Sequence, residues 1–140
     1  MLMQGKVVII SGIGPGLGIE LALLAAREGA QAVVLAARTA SKLSDAAQQI
    51  AALKLGTQTL EVVTDISKAE DCKNLIEKTV VAFGRVDALI NSAYIPGKFG
   101  TWERWDFDDW RKAMDVNLYG SLMLSREAAK VMKNQAERGA

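Results

Sequence analysis

The segment that most constrains this chain is Ser11-Gly12-Ile13-Gly14-Pro15-Gly16-Leu17-Gly18, set between the apolar run Val7-Val8-Ile9-Ile10 and the helix-patterned Ile19-Glu20-Leu21-Ala22-Leu23-Leu24-Ala25-Ala26. A buried strand that turns through glycines into an amphipathic helix leaves the first N–H groups of that helix unpaired and aimed above the turn, a socket for phosphate. Glycine is needed where a Cβ would hold the backbone away from a diphosphate or penalise a positive φ. The common dinucleotide fingerprint, with glycines at relative positions one, three and six, does not fit. Counting from Gly12 the sixth residue is Leu17, and counting from Gly14 it is Ile19. What stands here is a hydroxyl residue, Gly12, three residues, Gly16, one residue and Gly18.

The rest of the chain reads as strand and helix in alternation. Lys6 to Ile10 is a continuous apolar strand of the kind covered on both faces. A helix is expected from Pro15 or Gly16 to Glu28, then a strand over Ala32 to Ala36, then a helix from about Ser41 to Gly56. Thr59 to Thr64 is the third strand, and Ser67-Lys68-Ala69-Glu70 has the form of a capping box opening a helix that runs to Phe83. Gly29, Gly56 and Gly84 each stand between a helix and the next strand, where a helix stop belongs. Val86 to Asn91 is the fourth strand and Ile95 to Arg104 a loop. Asp106 can then cap a long helix with Trp105 and Trp110 as its staple, and Phe107, Trp110, Met114, Leu118, Leu122 and Met132 form one apolar stripe along it. That stripe suits either a broad core face or a second subunit.

Repeated βαβ units at this length imply a doubly wound parallel sheet with right-handed crossovers and strand order 3-2-1-4. Ligands of such sheets bind in the crevice beyond the C-terminal ends of the central strands. Here both the glycine loop and Asn91-Ser92-Ala93-Tyr94 open onto it. The 140 residues are half apolar, enough for one domain with its own core, and the net charge of +1 gives no basic patch for nucleic acid. No apolar run reaches the roughly 20 residues of a membrane span. A single cysteine excludes an internal disulfide and, with no leader segment, makes a cytoplasmic setting the expectation. With no histidine and one cysteine, a zinc site of the usual kind is not expected.

The glycine spacing resembles the TGxxxGxG loop of the short-chain dehydrogenases/reductases, with Ser11 in place of Thr. Further motifs follow in family order. The resemblance implies a Rossmann-type fold in which Ser11, Gly12, Gly14, Gly16, Leu17 and Gly18 hold a dinucleotide. Asp65-Ile66 resembles the family's Asp-Val/Ile pair at the adenine, although an Asp beside Ser67 also suits a turn. Asn91-Ser92-Ala93 stands where the family has NNA, and Tyr94 replaces the glycine that follows, which leaves it free to face a substrate. Asn117 resembles the helix asparagine of the family's Asn-Ser-Tyr-Lys catalytic group; an asparagine in mid-helix needs a compensating partner. At the end of the second strand Ala36-Ala37-Arg38-Thr39 carries no acid to meet a free 2′-hydroxyl, and Arg38 can pair with a 2′-phosphate. NADP(H) is therefore expected in preference to NAD(H), with Ala37 and Arg38 at the adenosine.

The family's catalytic Ser and its helical Tyr-x-x-x-Lys would lie beyond Ala140. Tyr94 and Lys98 have the right spacing, but Pro96 and Gly97 stand between them, and Tyr119 is followed by Met123. The resemblance implies hydride transfer between cofactor and an alcohol or ketone, a homodimer or homotetramer for the intact protein, and little turnover by these residues alone. Two other readings stay open. One is a non-catalytic nucleotide-binding fragment. The other is an S-adenosylmethionine-dependent methyltransferase, since Gly12-Ile13-Gly14-Pro15-Gly16 is also GxGxG; such enzymes generally carry an acid at the end of the second strand, where Ala37-Arg38 has none.

Overall fold

The computed structural model describes residues 1–136. Four parallel strands, β1 (Val7–Ser11), β2 (Ala32–Ala37), β3 (Gln58–Val63) and β4 (Ala88–Asn91), form one sheet in the order β3-β2-β1-β4. The order is the one the βαβ pattern predicts, giving a Rossmann-type doubly wound sheet. β1 is buried at every residue because it lies between two strands and two helical layers. Its side chains alternate between those layers. Val8 and Ile10 meet Ala22, Ala25 and Ala26 of α1 (Leu17–Arg27) and Leu43, Ala46 and Ile50 of α2 (Ala40–Ala52). Val7 and Ile9 meet Cys72, Leu75 and Ile76 of α3 (Ala69–Phe83) and Leu124 and Ala128 of α5 (Ser121–Asn134).

The crossing from β1 to β4 is pinned by a group the sequence reading passed over. Asp87 is buried at 5% exposure and accepts hydrogen bonds from the Val7 N–H at 2.8 Å and from the Arg85 guanidinium. Burial pushes its carboxyl up, but the Arg85 side chain, the Val7 N–H and the Arg85 and Lys6 charges outweigh that and hold it below the ordinary value.

Two helix boundaries differ from expectation. Ser67 does not cap α3: its hydroxyl and its N–H both donate to Asp65 Oδ1, at 2.6 and 3.0 Å, and Lys68 occupies the N-cap without a side-chain bond. The charged carboxylate two residues back holds the Ser67 side chain to itself through that short bond. α2 ends at Ala52, short of Gly56, because Lys54 already takes a left-handed φ of 54°.

The long C-terminal helix forms, with Asp106 capping the Asp109 N–H at 2.8 Å and Trp105 packed on Trp110 with ring centroids 5.1 Å apart. It has three parts: α4 (Phe107–Met114), a π-helical turn (Asp115–Gly120) and α5. A π turn holds more residues than an α turn, so one 3.6-residue stripe cannot continue through it unrotated. Phe107, Trp110 and Met114 before that turn, Leu118 within it and Leu122 just after it stay exposed, whereas Met132 packs on the core with Val116, Met123 and Val131. The stripe is an outer surface rather than a core face. Among the described residues no helix is long and apolar enough to cross a membrane, and no cluster of metal-ligating side chains occurs.

Candidate cofactor site

At the C-terminal ends of β1, β2 and β4 lies a cleft of about 320 Å³, walled by the glycine loop, the end of β2, Asp65-Ile66 and the segment after β4. Its floor is built by backbone. Gly12 and Ile13 both donate to the Ala36 carbonyl, at 2.8 and 3.2 Å, which draws the loop against the end of β2. Gly12 has φ +90°, and a Cβ there would lie about 2.5 Å from Ser92 and Ala93 backbone atoms. Only glycine lets the β1 and β4 loops lie that close.

The loop then opens into α1 at Gly16, an N-cap with no side chain to satisfy the helix's first N–H groups. Gly18 is the first-turn residue whose missing Cβ leaves room for the Gly12 carbonyl, so the helix start sits directly on the loop. The unpaired N–H groups of Leu17 and Gly18 and the positive end of the α1 dipole thus stand at a cradle that side chains would fill. That arrangement fits the diphosphate of a dinucleotide.

The expected site residues fall into two groups. Gly12, Gly14, Leu17, Gly18, Ala37, Arg38, Asp65, Ile66, Ser92 and Ala93 line the cleft. Ser11, Gly16 and Asn91 stand outside its lining. Ser11 is fully buried, paired across the sheet with Asn91, and its hydroxyl donates to Asn91 Oδ1 at 3.5 Å. Asn91 in turn donates to Ser125 Oγ at 3.0 Å, tying β4 to α5.

Arg38 is exposed at the cleft rim and has no ion-pair partner among the described residues. Asp65 is held below the usual carboxylate range, first by the Ser67 hydroxyl, against the opposing effect of burial, and further by the Ser67 N–H and the Lys68 and Arg38 charges. Its turn role is therefore real, and it occupies Oδ1.

Asn117 lies in the π turn, and its side chain is exposed rather than buried. Its compensation is complete: Oδ1 accepts from the Ile95 N–H at 2.8 Å and Nδ2 donates to the Ile95 carbonyl at 3.0 Å. Tyr94 and Ile95, just after β4, are thereby fixed as cleft wall together with Val116. Tyr94 and Lys98 share no helix, and Lys98 is engaged by Asp106 and Asp109. Ile13, Pro15, Thr39, Lys42 and Val116 also line the cleft without having been singled out from sequence. For Lys42 a signal existed, a cation in the first turn of a helix that has no acid there. Cys72 is buried, donates to the Ile66 carbonyl at 3.3 Å, and has its thiol pushed up to about 11 chiefly by burial, which makes it a packing residue.

Comparison with known proteins agrees with this geometry. The short chain dehydrogenase family model matches residues 6–140. An 11-beta-hydroxysteroid dehydrogenase A of Sesamum indicum is 39% identical over 137 residues, covering 97% of this chain and 38% of its own length. The crystal structure of a short chain dehydrogenase from Mycobacterium smegmatis superposes with a TM-score of 0.90 at 30% identity, over 99% of this chain and 56% of that one. An NAD+-bound xylitol dehydrogenase superposes with a TM-score of 0.90 at 25% identity, over 99% of this chain and 52% of that one. The chain thus spans about half the length of the solved relatives and less of the sesame protein. On the loop spacing, the sheet order and the match along nearly its whole length, the chain belongs to the short-chain dehydrogenase family.

Proposed function

We propose that residues 1–140 are the cofactor-binding domain of an NADP(H)-dependent oxidoreductase acting on a small alcohol or ketone. The observation that carries the reading is the cleft itself: a glycine cradle at an uncapped helix N-terminus, with an unpaired arginine at the adenosine end of the same wall. The family's sheet order and the match over residues 6–140 support the oxidoreductase class over a methyltransferase.

In this reading Leu17 and Gly18 N–H groups bind the diphosphate, with Gly14 and Gly16 leaving the approach open. Arg38 binds the ribose 2′-phosphate beside Ala37, and Asp65 accepts from the adenine amine with Ile66 against the ring. Ser92 and Ala93 admit the second ribose, braced from behind by Ser11 and Asn91. Asn117 acts as a positioning residue by holding the Ile95 backbone, and Tyr94 and Ile95 shape the substrate side. The cofactor, when bound, supplies or accepts the hydride. Proton transfer to the substrate oxygen needs the Ser and the helical Tyr-x-x-x-Lys that the family carries farther along, so these 140 residues bind cofactor with little turnover. The exposed Phe107-to-Leu122 stripe is where a second copy would dock to give the homo-oligomer.

Fluorescence titration with NADPH, NADH and S-adenosylmethionine tests the reading. NADPH is expected to bind at least about tenfold tighter than NADH, a difference of about 1.4 kcal/mol, and S-adenosylmethionine not to compete. Preference for NADH, unchanged in Arg38→Ala, would reject the NADP(H) assignment.

A further inference from the structure

We propose that Lys42 is a second cation for the ribose 2′-phosphate, closing on it from α2 while Arg38 holds it from the end of β2. The proposal rests on the reading of the cleft as an NADP(H) site and adds a specificity-determining residue to it.

Three observations place Lys42 there. It lines the same cleft as Arg38, Thr39 and Gly14, and it is the one cation of α2, whose only other charged residue is the exposed Asp45. Gly14 is not among the glycines with positive φ, so its backbone does not demand glycine. A Cβ at that position would touch nothing nearer than Lys42, with Cδ at 3.8 Å and Nζ at 3.9 Å. The lysine therefore reaches across the opening that Gly14 leaves, and its ammonium stands at the loop's edge of the cleft.

The third observation is electrostatic. Lys42 is in the first turn of α2, where a cation works against the helix dipole, and that turn holds no acid. The first turns of α1, α3 and α4 hold Glu20, the pair Glu70 and Asp71, and the pair Asp108 and Asp109. Neither Lys42 nor Arg38 forms a salt bridge among the described residues, although the Arg38 charge reaches Asp65 across the cleft wall. Two cations on one cleft wall, neither in a salt bridge, suit a dianion; a ribose with a free 2′-hydroxyl would neutralise neither. The two contribute differently, a planar fork from Arg38 and a mobile point charge from Lys42.

Lys42→Met and Lys42→Arg, made in the 140-residue chain, test this through dissociation constants for NADPH and NADH beside Arg38→Ala. Lys42→Met is expected to weaken NADPH about tenfold and to leave NADH within about twofold, while Lys42→Arg keeps most of the NADPH affinity. Because removing the cation relieves the helix dipole, the melting temperature of Lys42→Met should be unchanged or higher, which separates lost binding from lost folding. Unchanged NADPH affinity in Lys42→Met, with a loss in Arg38→Ala, would overturn the assignment and leave the cofactor reading standing. Equal losses for both cofactors would also overturn it, by moving Lys42 to the shared diphosphate. Equal binding of the two cofactors by the parent chain, indifferent to Arg38→Ala, would remove the underlying reading and this proposal together.

Discussion

Asn117 holds Ile95 by both of its backbone polar groups, accepting from the N–H at 2.8 Å and donating to the carbonyl at 3.0 Å. One amide side chain in a π turn thereby replaces the strand partner that Ile95, four residues past the end of β4, does not have. The segment that walls the cleft is fixed from the long helix rather than from the sheet.

Asn117→Ala should therefore loosen that wall. Each of the two bonds is worth about 0.5–1.5 kcal/mol net, and their exposure places the total near the low end, about 1 kcal/mol. Asn117→Asp keeps one acceptor but sets a carboxylate against the Ile95 carbonyl, and should be no better than alanine. Urea midpoints and the NADPH affinity of the variants measure both effects. Midpoints and affinity equal to those of the parent chain would show that Ile95 is held by something else.

The glycines of the loop should divide sharply. Gly12→Ala places a Cβ about 2.5 Å from Ser92 and Ala93 backbone in a left-handed conformation, so it should destabilise the fold by about 2–4 kcal/mol and abolish cofactor binding. Gly14→Ala meets only the flexible end of Lys42 at van der Waals distance and should stay within about 0.5 kcal/mol of the parent. Thermal melts of the two proteins side by side decide; equal stability would mean that the two loops do not approach as described.

Asp87 gives the fold an acid limit. Its carboxyl is held below 3.8, so the ionised form is favoured by folding. The stabilisation is fully present above the unfolded value and fades as pH falls below about 4 through the lower folded value. Asp87→Asn should lose about 1–3 kcal/mol at neutral pH, since a buried carboxylate that accepts from the Val7 N–H and the Arg85 guanidinium is replaced by a neutral amide. It should also flatten the stability profile below pH 4. Denaturation curves across pH 3 to 7 in both proteins read this out, and parallel profiles would place the acid sensitivity elsewhere.

The exposed stripe predicts self-association. Leu118 and Leu122 are 41% and 58% exposed on a helix face that also carries Phe107, Trp110 and Met114. Replacing both leucines with glutamate should move the chain to a monomer in sedimentation velocity at micromolar concentration, without lowering its melting temperature. A parent chain already monomeric under those conditions would contradict the assignment of this face to a second copy.

Much of this was legible in the residues because backbone geometry and burial leave local marks. Val7 to Ile10 must be buried on both faces, Gly12 and Gly18 mark the close approaches that the loop in fact makes, and Gly16 supplies the φ of +113° at the helix entry. What was not legible depended on competition between neighbours. Ser67 has the spacing of a cap, yet Asp65 two residues earlier takes its hydroxyl. The apolar stripe from Phe107 to Met132 assumes an unbroken α-helix, but a π turn interrupts it at 115–120, and of its members only Met132 reaches the core. Lys42 resembles any solvated lysine until Gly14 is seen beside it across the chain's first turn.

The central claim is that the N-terminus of α1 holds the diphosphate of NADP(H). A crystal structure of the chain grown with NADPH tests it most directly. Phosphate oxygens are expected within hydrogen-bond distance of the Leu17 and Gly18 N–H groups, with the 2′-phosphate against Arg38. A loop closed over by Tyr94 or by a neighbouring segment, with the dinucleotide elsewhere or not bound, would contradict it.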